Sequence, residues 1–315
     1  MQLVQSMQTV ASASEAAYGR IKDYVTKTMC LPSRGQPGLY LKTENFQKTG
    51  SFKFRGATAK LSSLATDVPL ITASSGNHGI ACSQAALTTG HDLNVLLPDS
   101  VARAKLQKIQ SFGVKTILNP GDSGMAERRA RDLAKQQELI YVSPYNDPEI
   151  IAGQGTIGIE LLDQLPEIDN IFISLGGGGL VSGVGAVLKT VNPKVKVFGV
   201  SASNSAALAE SLRAGHVVET EHLDTLADGC AGGVDADTIT LSLAGEVIDD
   251  LIECNEAEIA STLNVLAWEE HMIVEGAAAL AYAGYIKMRE SLEGKKSVVL
   301  LCGGNFDKAT IQPFL

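Results

Sequence analysis

A lysine flanked by two aromatic residues is the first feature of the sequence that could take part in covalent chemistry. Lys53 lies between Phe52 and Phe54 in the segment KTGSFKFRGA, residues 48–57. Apolar neighbours exclude water from an amine, which lowers its pKa and favours the neutral form that can make an imine with a carbonyl compound. The alternative is a surface lysine in an amphipathic stretch, with only its aliphatic stem covered.

A serine-containing loop, SSGNHG at residues 74–79, follows an apolar run and precedes a segment of helical type. Backbone N–H groups at the start of a helix, with the polar side chains of Ser74, Ser75 and Asn77, can bind a carboxylate. We therefore expect this loop to bind the substrate, with His78 among its contacts but without a catalytic role. An ordinary serine N-cap followed by a glycine turn is the alternative.

Four consecutive glycines, Gly176, Gly177, Gly178 and Gly179, occur in the segment SLGGGGLVSG between a predicted strand and a predicted helix. Without side chains, their backbone N–H groups can close around a phosphate group. A dinucleotide site is disfavoured because Ser182 replaces the third glycine of that motif, and no acidic residue ends the next predicted strand. The pattern favours a monophosphate, and a purely structural glycine turn is the alternative.

Short apolar runs alternate with helical segments, and these elements must position the three loops. The predicted strands lie within residues 68–76, 92–99, 114–119, 139–144, 168–179, 194–203 and 295–305, and the clearest predicted helices lie within 78–90, 101–113 and 123–138. Parallel strands need long crossovers, so this alternation predicts an α/β fold of open, mostly parallel sheets covered by helices. Ligands bind at the carboxyl ends of the strands in such sheets.

Composition narrows the classes of function. A chain of 315 residues with 45% hydrophobic and 19% charged residues is typical of a globular protein with about two lobes. A net charge of -9 without a basic run argues against nucleic acid as a partner. No apolar stretch approaches the roughly 18 residues of a membrane helix, and no leader pattern opens the chain. Five scattered cysteines indicate reduced thiols, so we expect a cytoplasmic protein.

Five segments, taken in order, resemble the motifs of one enzyme family. TENFQKTGSFKFRGA, ASSGNHG, SLGGGGLVSG, LADG and LLCGGN are similar to those of the serine/threonine dehydratase and serine racemase family of pyridoxal 5'-phosphate (PLP) enzymes, the fold type II or tryptophan synthase β-like class. The resemblance covers most of the chain. It implies two interwoven lobes, a large PLP-binding domain of residues 1–66 and 147–315 and a small domain of residues 67–146 that closes over the substrate. It also implies a homodimer.

The resemblance assigns a role to each motif residue. Lys53 matches the Schiff-base lysine, Phe52 the aromatic residue against the pyridine ring, and Asn77 the residue that hydrogen-bonds the phenolic oxygen. The loop containing Ser74, Ser75, Asn77 and His78 matches the one that binds the substrate. The other cofactor-binding residues that it implies are Gly176, Gly177, Gly178 and Gly179 around the phosphate, Gly229 of LADG at the ring's edge, and Cys302 of LLCGGN facing the pyridine nitrogen.

Cys302 bears on the type of reaction. A thiol cannot hold the ring nitrogen in its protonated form as a carboxylate would, so the cofactor is a weaker electron sink and elimination from Cβ is favoured over transamination. The resemblance implies that the amine of Lys53 removes the Cα proton, that the β-hydroxyl leaves, and that hydrolysis yields a 2-keto acid and ammonia. We therefore expect a dehydratase acting in amino acid catabolism on L-threonine or L-serine. A buried cysteine with only a packing role is the alternative.

Ser75 leaves a second activity open, because racemases of this family use a serine at this position as the base on the opposite face. Many pure dehydratases carry alanine there, so a racemase is an alternative function. The acidic residues that bind a divalent metal in the racemases align near Ser201 and Ala207, and neither residue is a competent ligand for Mg²⁺ or Ca²⁺. We therefore expect no metal ion.

Further alternatives concern the substrate and the class of protein. A hydroxyaspartate dehydratase would share the fold, but the motif makes Arg55 a structural neighbour of the lysine rather than a group that binds an acidic substrate. A β-replacement synthase is less favoured because its lysine motif differs from KTGSFKFRGA. A dinucleotide-dependent dehydrogenase and an inactive binding protein are alternatives outside PLP catalysis.

Overall fold

The computed structural model describes residues 6–315, which form ten strands and twelve α-helices. The strands are β1 (Cys30–Pro32), β2 (Leu39–Lys42), β3 (Leu70–Ala73), β4 (Leu93–Pro98), β5 (Lys115–Asn119), β6 (Ile140–Tyr141), β7 (Asn170–Ser174), β8 (Lys196–Ala202), β9 (Asp250–Cys254) and β10 (Ser297–Leu300). The helices are α1 (Met7–Ile21), α2 (Lys53–Ser62), α3 (Asn77–Thr89), α4 (Arg103–Gln110), α5 (Ser123–Gln136), α6 (Pro148–Gln164), α7 (Gly179–Val191), α8 (Ala207–Ala214), α9 (Thr240–Val247), α10 (Glu256–Trp268), α11 (Gly276–Met288) and α12 (Lys308–Ile311). None of these helices is both long and apolar enough to span a membrane.

The strands form two sheets. The large sheet has the order β1-β2-β10-β7-β8-β9 and is parallel except for the β1–β2 pair. The small sheet has the order β5-β4-β3-β6 and is parallel throughout. Helices join successive parallel strands, because a parallel neighbour can be reached only by a crossover. The predicted α/β fold with mostly parallel sheets is confirmed.

Apolar packing divides the interior into three cores. The main core surrounds the large sheet, whose strand β7 is buried at all five positions. Such strands are apolar throughout because helices cover both faces of a parallel sheet. A second core joins α1 and α2 to α3 and β4. A third, smaller core lies between α5 and the small sheet and consists of Ile71, Leu96, Ala130 and Ala134.

Three strands were not predicted, and one predicted strand is shorter than expected. The unpredicted strands are β1, β2 and β9. Two of them, β1 and β9, lie at the edges of the large sheet. Edge strands often contain proline or charged residues, as Pro32, Asp250 and Glu253 show here, which blurs the apolar pattern. The segment 139–144 forms only the two residues of β6, because this edge strand ends close to Pro144, which has no N–H for a ladder.

Candidate active site

The lysine motif is attached to the carboxyl end of a central strand of the large sheet. The N–H of Phe52 donates to the carbonyl of Cys302 at 3.0 Å, and Ser51 and Gly303 form an isolated β-bridge. Cys302 follows β10, and Lys53 is the first residue of α2. The structure therefore brings Lys53 and Cys302 together at the edge of the sheet where ligands bind in α/β folds.

The amine of Lys53 is half-buried among apolar and polar neighbours. Its Nζ donates to the carbonyl of Pro144 at 2.7 Å and lies 5.1 Å from the centroid of the Phe52 ring. Burial lowers the pKa of Lys53 more than the surrounding acidic and thiol groups raise it. The amine is thereby shifted toward the neutral, nucleophilic form.

A buried network of four charges holds the helix that carries this lysine. Arg55 donates to Glu44 at 2.8 Å and to Glu160 at 2.7 Å, and Lys42 donates to Glu160 at 2.6 Å. Burial acts to raise the pKa of Glu44, but the guanidinium of Arg55 outweighs it and lowers that pKa. All four side chains are at most 1% exposed. Arg55 thus forms ion pairs with two buried carboxylates. Its role beside Lys53 is structural.

The four-glycine loop, residues 176–179, is closed to side chains. A Cβ at Gly177 would lie 2.5 Å from the ring of Tyr145, and one at Gly179 would lie 3.1 Å from the same residue. Gly178 has a positive φ of 84°, which glycine adopts readily. The hydroxyl of Thr240 donates to the carbonyl of Gly177 at 2.8 Å and fixes the loop. The loop opens the thirteen-residue helix α7, whose first N–H groups have no partners within the helix and suit an anion.

Glu275 joins the predicted site residues into one cluster. Its Oε1 and Oε2 accept hydrogen bonds from Nδ2 of Asn77 at 2.9 and 3.0 Å, and Oε2 accepts another from the N–H of Asn305 at 3.0 Å. The thiol of Cys302 lies 4.0 Å from Oε1. A Cβ built on Gly229 would lie 3.5 Å from the same oxygen. Asn77, Gly229 and Cys302 therefore meet around a single carboxyl group.

Burial raises the pKa of Glu275 to about 7, against the opposing effect of its hydrogen bonds from Asn77 and Asn305. This carboxyl group can therefore gain or lose a proton near neutral pH. Glu275 was not among the predicted site residues. The signal that could have found it is an isolated acidic residue between Val274 and the segment GAAAL, where an apolar helix begins.

Cys302 is buried, and burial raises its pKa well above the ordinary value of 9.0. Its side chain is therefore a neutral thiol at physiological pH. The expectation of elimination from Cβ depends on a neutral group at this position. Gly229 lies in a short turn of residues Asp228–Cys230, close to Glu275.

The serine-containing loop connects β3 to α3. The hydroxyl of Ser74 accepts a hydrogen bond from the N–H of Gly76 at 3.2 Å, and Ser75 is half-buried. His78 is buried, its Nε2 lies 3.0 Å from the carbonyl of Val142, and burial together with Lys53 lowers its pKa to about 3. The imidazole is thus neutral and directed at the backbone after β6. A role of His78 in substrate binding stays a prediction.

These residues fit PLP. A half-buried amine is present for the aldehyde, a loop without side chains for the phosphate, and the Asn77 and Cys302 side chains for the two edges of the ring. Within residues 6–315, no group of three or more His, Cys, Asp or Glu residues could hold a metal ion. Ser201 and Ala207 are both buried. The absence of a metal from this enzyme stays a prediction.

Known proteins are similar to this chain over nearly its whole length. The family model described as "Pyridoxal-phosphate dependent enzyme" matches residues 21–303. The chain is 31% identical over 313 residues to the catabolic L-threonine dehydratase TdcB of Escherichia coli (strain K12), covering 97% of this chain and 94% of that protein. Among solved structures, threonine deaminase isoform 2 of Solanum lycopersicum has a TM-score of 0.91 at 28% identity, covering 98% of this chain and 92% of that one. Maize serine racemase has a TM-score of 0.89 at 26% identity, with 99% and 97% covered.

Proposed function

The chain belongs to the family of pyridoxal-phosphate dependent enzymes, and from this premise we propose that it is a dehydratase that converts a small β-hydroxy amino acid, L-threonine or L-serine, to a 2-keto acid and ammonia. Its cofactor is PLP, and its fold is that of the fold type II class. The observation that carries the proposal is the pairing of the desolvated amine of Lys53, whose pKa burial lowers, with the buried thiol of Cys302, whose backbone carbonyl accepts from the N–H of Phe52.

The residues divide the reaction between them. When bound, PLP supplies an aldehyde that condenses with amines and a ring that withdraws electrons from Cα. Nζ of Lys53, whose pKa is lowered, is the base that takes the Cα proton. The backbone N–H groups at the start of α3, with Ser74 and Ser75, bind the substrate carboxylate. Glu275 can take up or release a proton beside Asn77 near neutral pH.

The test is the release of 2-keto acid from both enantiomers of serine, threonine and hydroxyaspartate, measured with and without an added thiol. Lys53→Ala should abolish the reaction and the visible absorbance of the bound cofactor. Lys48→Ala is the matched control, because Lys48 is an exposed lysine of the same loop. Full activity of Lys53→Ala would overturn the proposal, and a product that requires the thiol would indicate a β-replacement synthase instead.

A racemase is the second candidate, and Ser75 favours it. The half-buried hydroxyl of Ser75 stands in the loop that binds the substrate in this proposal. Ser75→Ala should abolish inversion at Cα and leave release of keto acid from the L-enantiomer largely intact. Hydroxyaspartate is the less favoured substrate, since Arg55 is fully occupied by Glu44 and Glu160.

The proposal includes a division of the chain. Residues 1–66 and 147–315 form the large domain, and residues 67–146 form the small domain that closes over the substrate. In support, the four strands of the small sheet fall between Leu70 and Tyr141, and the six strands of the large sheet fall outside this range.

We propose a cytoplasmic homodimer as the assembly. Phe46, Ile273 and Phe306 are exposed apolar residues. A Cβ on Gly304 would lie 3.3 Å from Asn45 and 3.9 Å from the carbonyl of Ile273, so the chain segments that carry the three residues meet there. Phe46→Glu should convert the dimer to monomers in sedimentation velocity experiments, and a wild-type monomer would contradict the proposal. Five free cysteines support a reducing compartment.

A further inference from the structure

We propose that Arg131, Asp235 and Asn146 form a latch that holds the small sheet in position over the active site and thereby sets the affinity for the amino acid. The inference rests on the function proposed above. Arg131 lies on α5, and Asp235 lies in the loop of residues 231–239 that precedes α9. The three are positioning residues, because they reach the cofactor site only through Pro144 and Tyr145.

The latch is a connected set of hydrogen bonds. Nη2 of Arg131 contacts both carboxylate oxygens of Asp235, at 3.0 and 2.9 Å. Nδ2 of Asn146 donates to the same carboxylate at 3.1 Å, and its Oδ1 accepts from the N–H of Ile239 at 3.0 Å. Arg131 is oriented from its own side, because its guanidinium stacks 4.5 Å from the centroid of the Tyr141 ring. Two segments far apart in the sequence are thus joined through one ion pair.

The latch reaches the cofactor site through the residues that follow β6. The hydroxyl of Tyr145 accepts from the N–H of Asp235 at 2.7 Å. The ring of Tyr145 packs on Gly177, and its Cα, Cβ and carbonyl oxygen lie against Gly179 of the glycine loop. The preceding carbonyl, that of Pro144, accepts the bond from Lys53. The same three-residue segment therefore contacts the lysine, the phosphate loop and the latch.

The remaining contacts of α5 explain why one ion pair can matter. This helix packs on the strands of its own sheet, and the apolar core beneath it contains no residue of the large sheet. A cavity of about 310 Å³ beside the pair is lined by Arg131, Tyr141 and Asp237. The apolar packing between the two sheets is made instead by α2 and α3. Next to α5, the contacts with the loop of residues 231–239 are polar.

The predicted effect falls on substrate binding. The loop of residues 74–79 is carried by the small sheet, whereas Lys53 and the glycine loop are fixed to the large sheet by the bonds described above. Opening the latch frees the small sheet to move the loop that binds the carboxylate away from Lys53. The KM for the amino acid should rise, with little change in the affinity for the cofactor.

A double-mutant cycle on the holoenzyme tests the proposal. Arg131→Gln and Asp235→Asn should each raise KM about fivefold, the size expected of a partly exposed pair with good geometry. The double variant should raise KM by less than the product of the two single effects, because both substitutions remove the Arg131–Asp235 pair. Arg131 also donates to Glu127 and Asp235 also accepts from Asn146, so the two single effects need not be equal. Arg129→Gln is the matched control, since Arg129 is an exposed arginine of the same helix. Unchanged KM values, multiplying effects, or an equal loss of cofactor affinity would each overturn the latch.

Hydrogen–deuterium exchange separates this proposal from the proposed function. In Arg131→Gln, the amides of residues 231–239 should exchange at least several times faster than in the wild type, and in Arg129→Gln they should not. This measurement needs no turnover. If no β-hydroxy amino acid yields a keto acid, the proposed function fails while the exchange still tests the latch. Equal exchange in all three proteins would refute the latch even in an active enzyme.

Discussion

Replacing Glu275 by glutamine should make the cofactor-free protein more stable at alkaline pH and leave its stability unchanged at acidic pH. Burial raises the pKa of this carboxyl group from 4.5 to about 7. Between these two values the native state binds more protons than the unfolded chain does. The free energy of unfolding therefore falls as the pH rises through this window. A gap of this width corresponds to about 3 kcal/mol.

Glutamine resembles the protonated glutamic acid. In each, the carbonyl oxygen can stand at the position of Oε2 and accept from Nδ2 of Asn77 and from the N–H of Asn305, and neither side chain carries a charge. At pH 5 the wild type and Glu275→Gln should therefore unfold with similar free energies. At pH 8 the wild type contains a buried carboxylate, and the variant should be more stable by up to about 3 kcal/mol.

Urea unfolding at several values between pH 5 and pH 8 measures this difference. Titration of all other groups is common to both proteins and cancels in the comparison. Glu293→Gln is the control, because Glu293 is exposed, and its difference from the wild type should not vary with pH. A difference between Glu275→Gln and the wild type that stays constant across this range would refute the reasoning.

Two further substitutions test the elements that support the site. Gly177→Ala places a methyl group where only 2.5 Å separates it from an aromatic ring, and should cost about 1–3 kcal/mol in stability and weaken cofactor binding, as followed by urea unfolding and cofactor titration. Gly19→Ala, in open space on α1, should be neutral or slightly stabilising, and a comparable loss there would contradict the steric argument. Glu44→Gln leaves Arg55 with one carboxylate partner fewer and should cost about 3–5 kcal/mol in unfolding experiments. Lys27→Ala removes an exposed ion pair and should leave the unfolding midpoint unchanged, so equal losses in these two variants would refute the role of burial.

Local patterns were sufficient to predict the alternation of strands and helices and the loops that carry the site. The three central residues of β7 are apolar, and four glycines follow the strand after Leu175, so both its type and its end can be read from neighbouring residues. The serine-containing loop and the glycine loop each come at the end of a predicted strand, and Lys53 comes shortly after Gly50. Because parallel strands place their carboxyl ends at one edge, these motifs could be expected to meet.

The features that escaped prediction depend on residues distant in the sequence. Glu275 is separated by 198 positions from Asn77, and its raised pKa depends on burial that no local pattern reveals. Asp235 and Arg131 are 104 positions apart in a charged helix and a loop that look like ordinary surface. Pairings of this kind appear only when the chain is folded.

The buried charges around Arg55 constrain the order in which this protein can assemble during synthesis. Three members, Lys42, Glu44 and Arg55, belong to the first sixty residues. Glu160 lies 105 positions after Arg55 and emerges from the ribosome only after the whole small sheet has been made. Until Glu160 is available, burial of the Arg55 guanidinium would leave it with one carboxylate partner instead of two, which is unfavourable. The helix α2, which carries Lys53, can therefore reach its native packing only after α6 has been synthesised. A truncated nascent chain that ends before α6 should bind chaperones and should not form a folded intermediate.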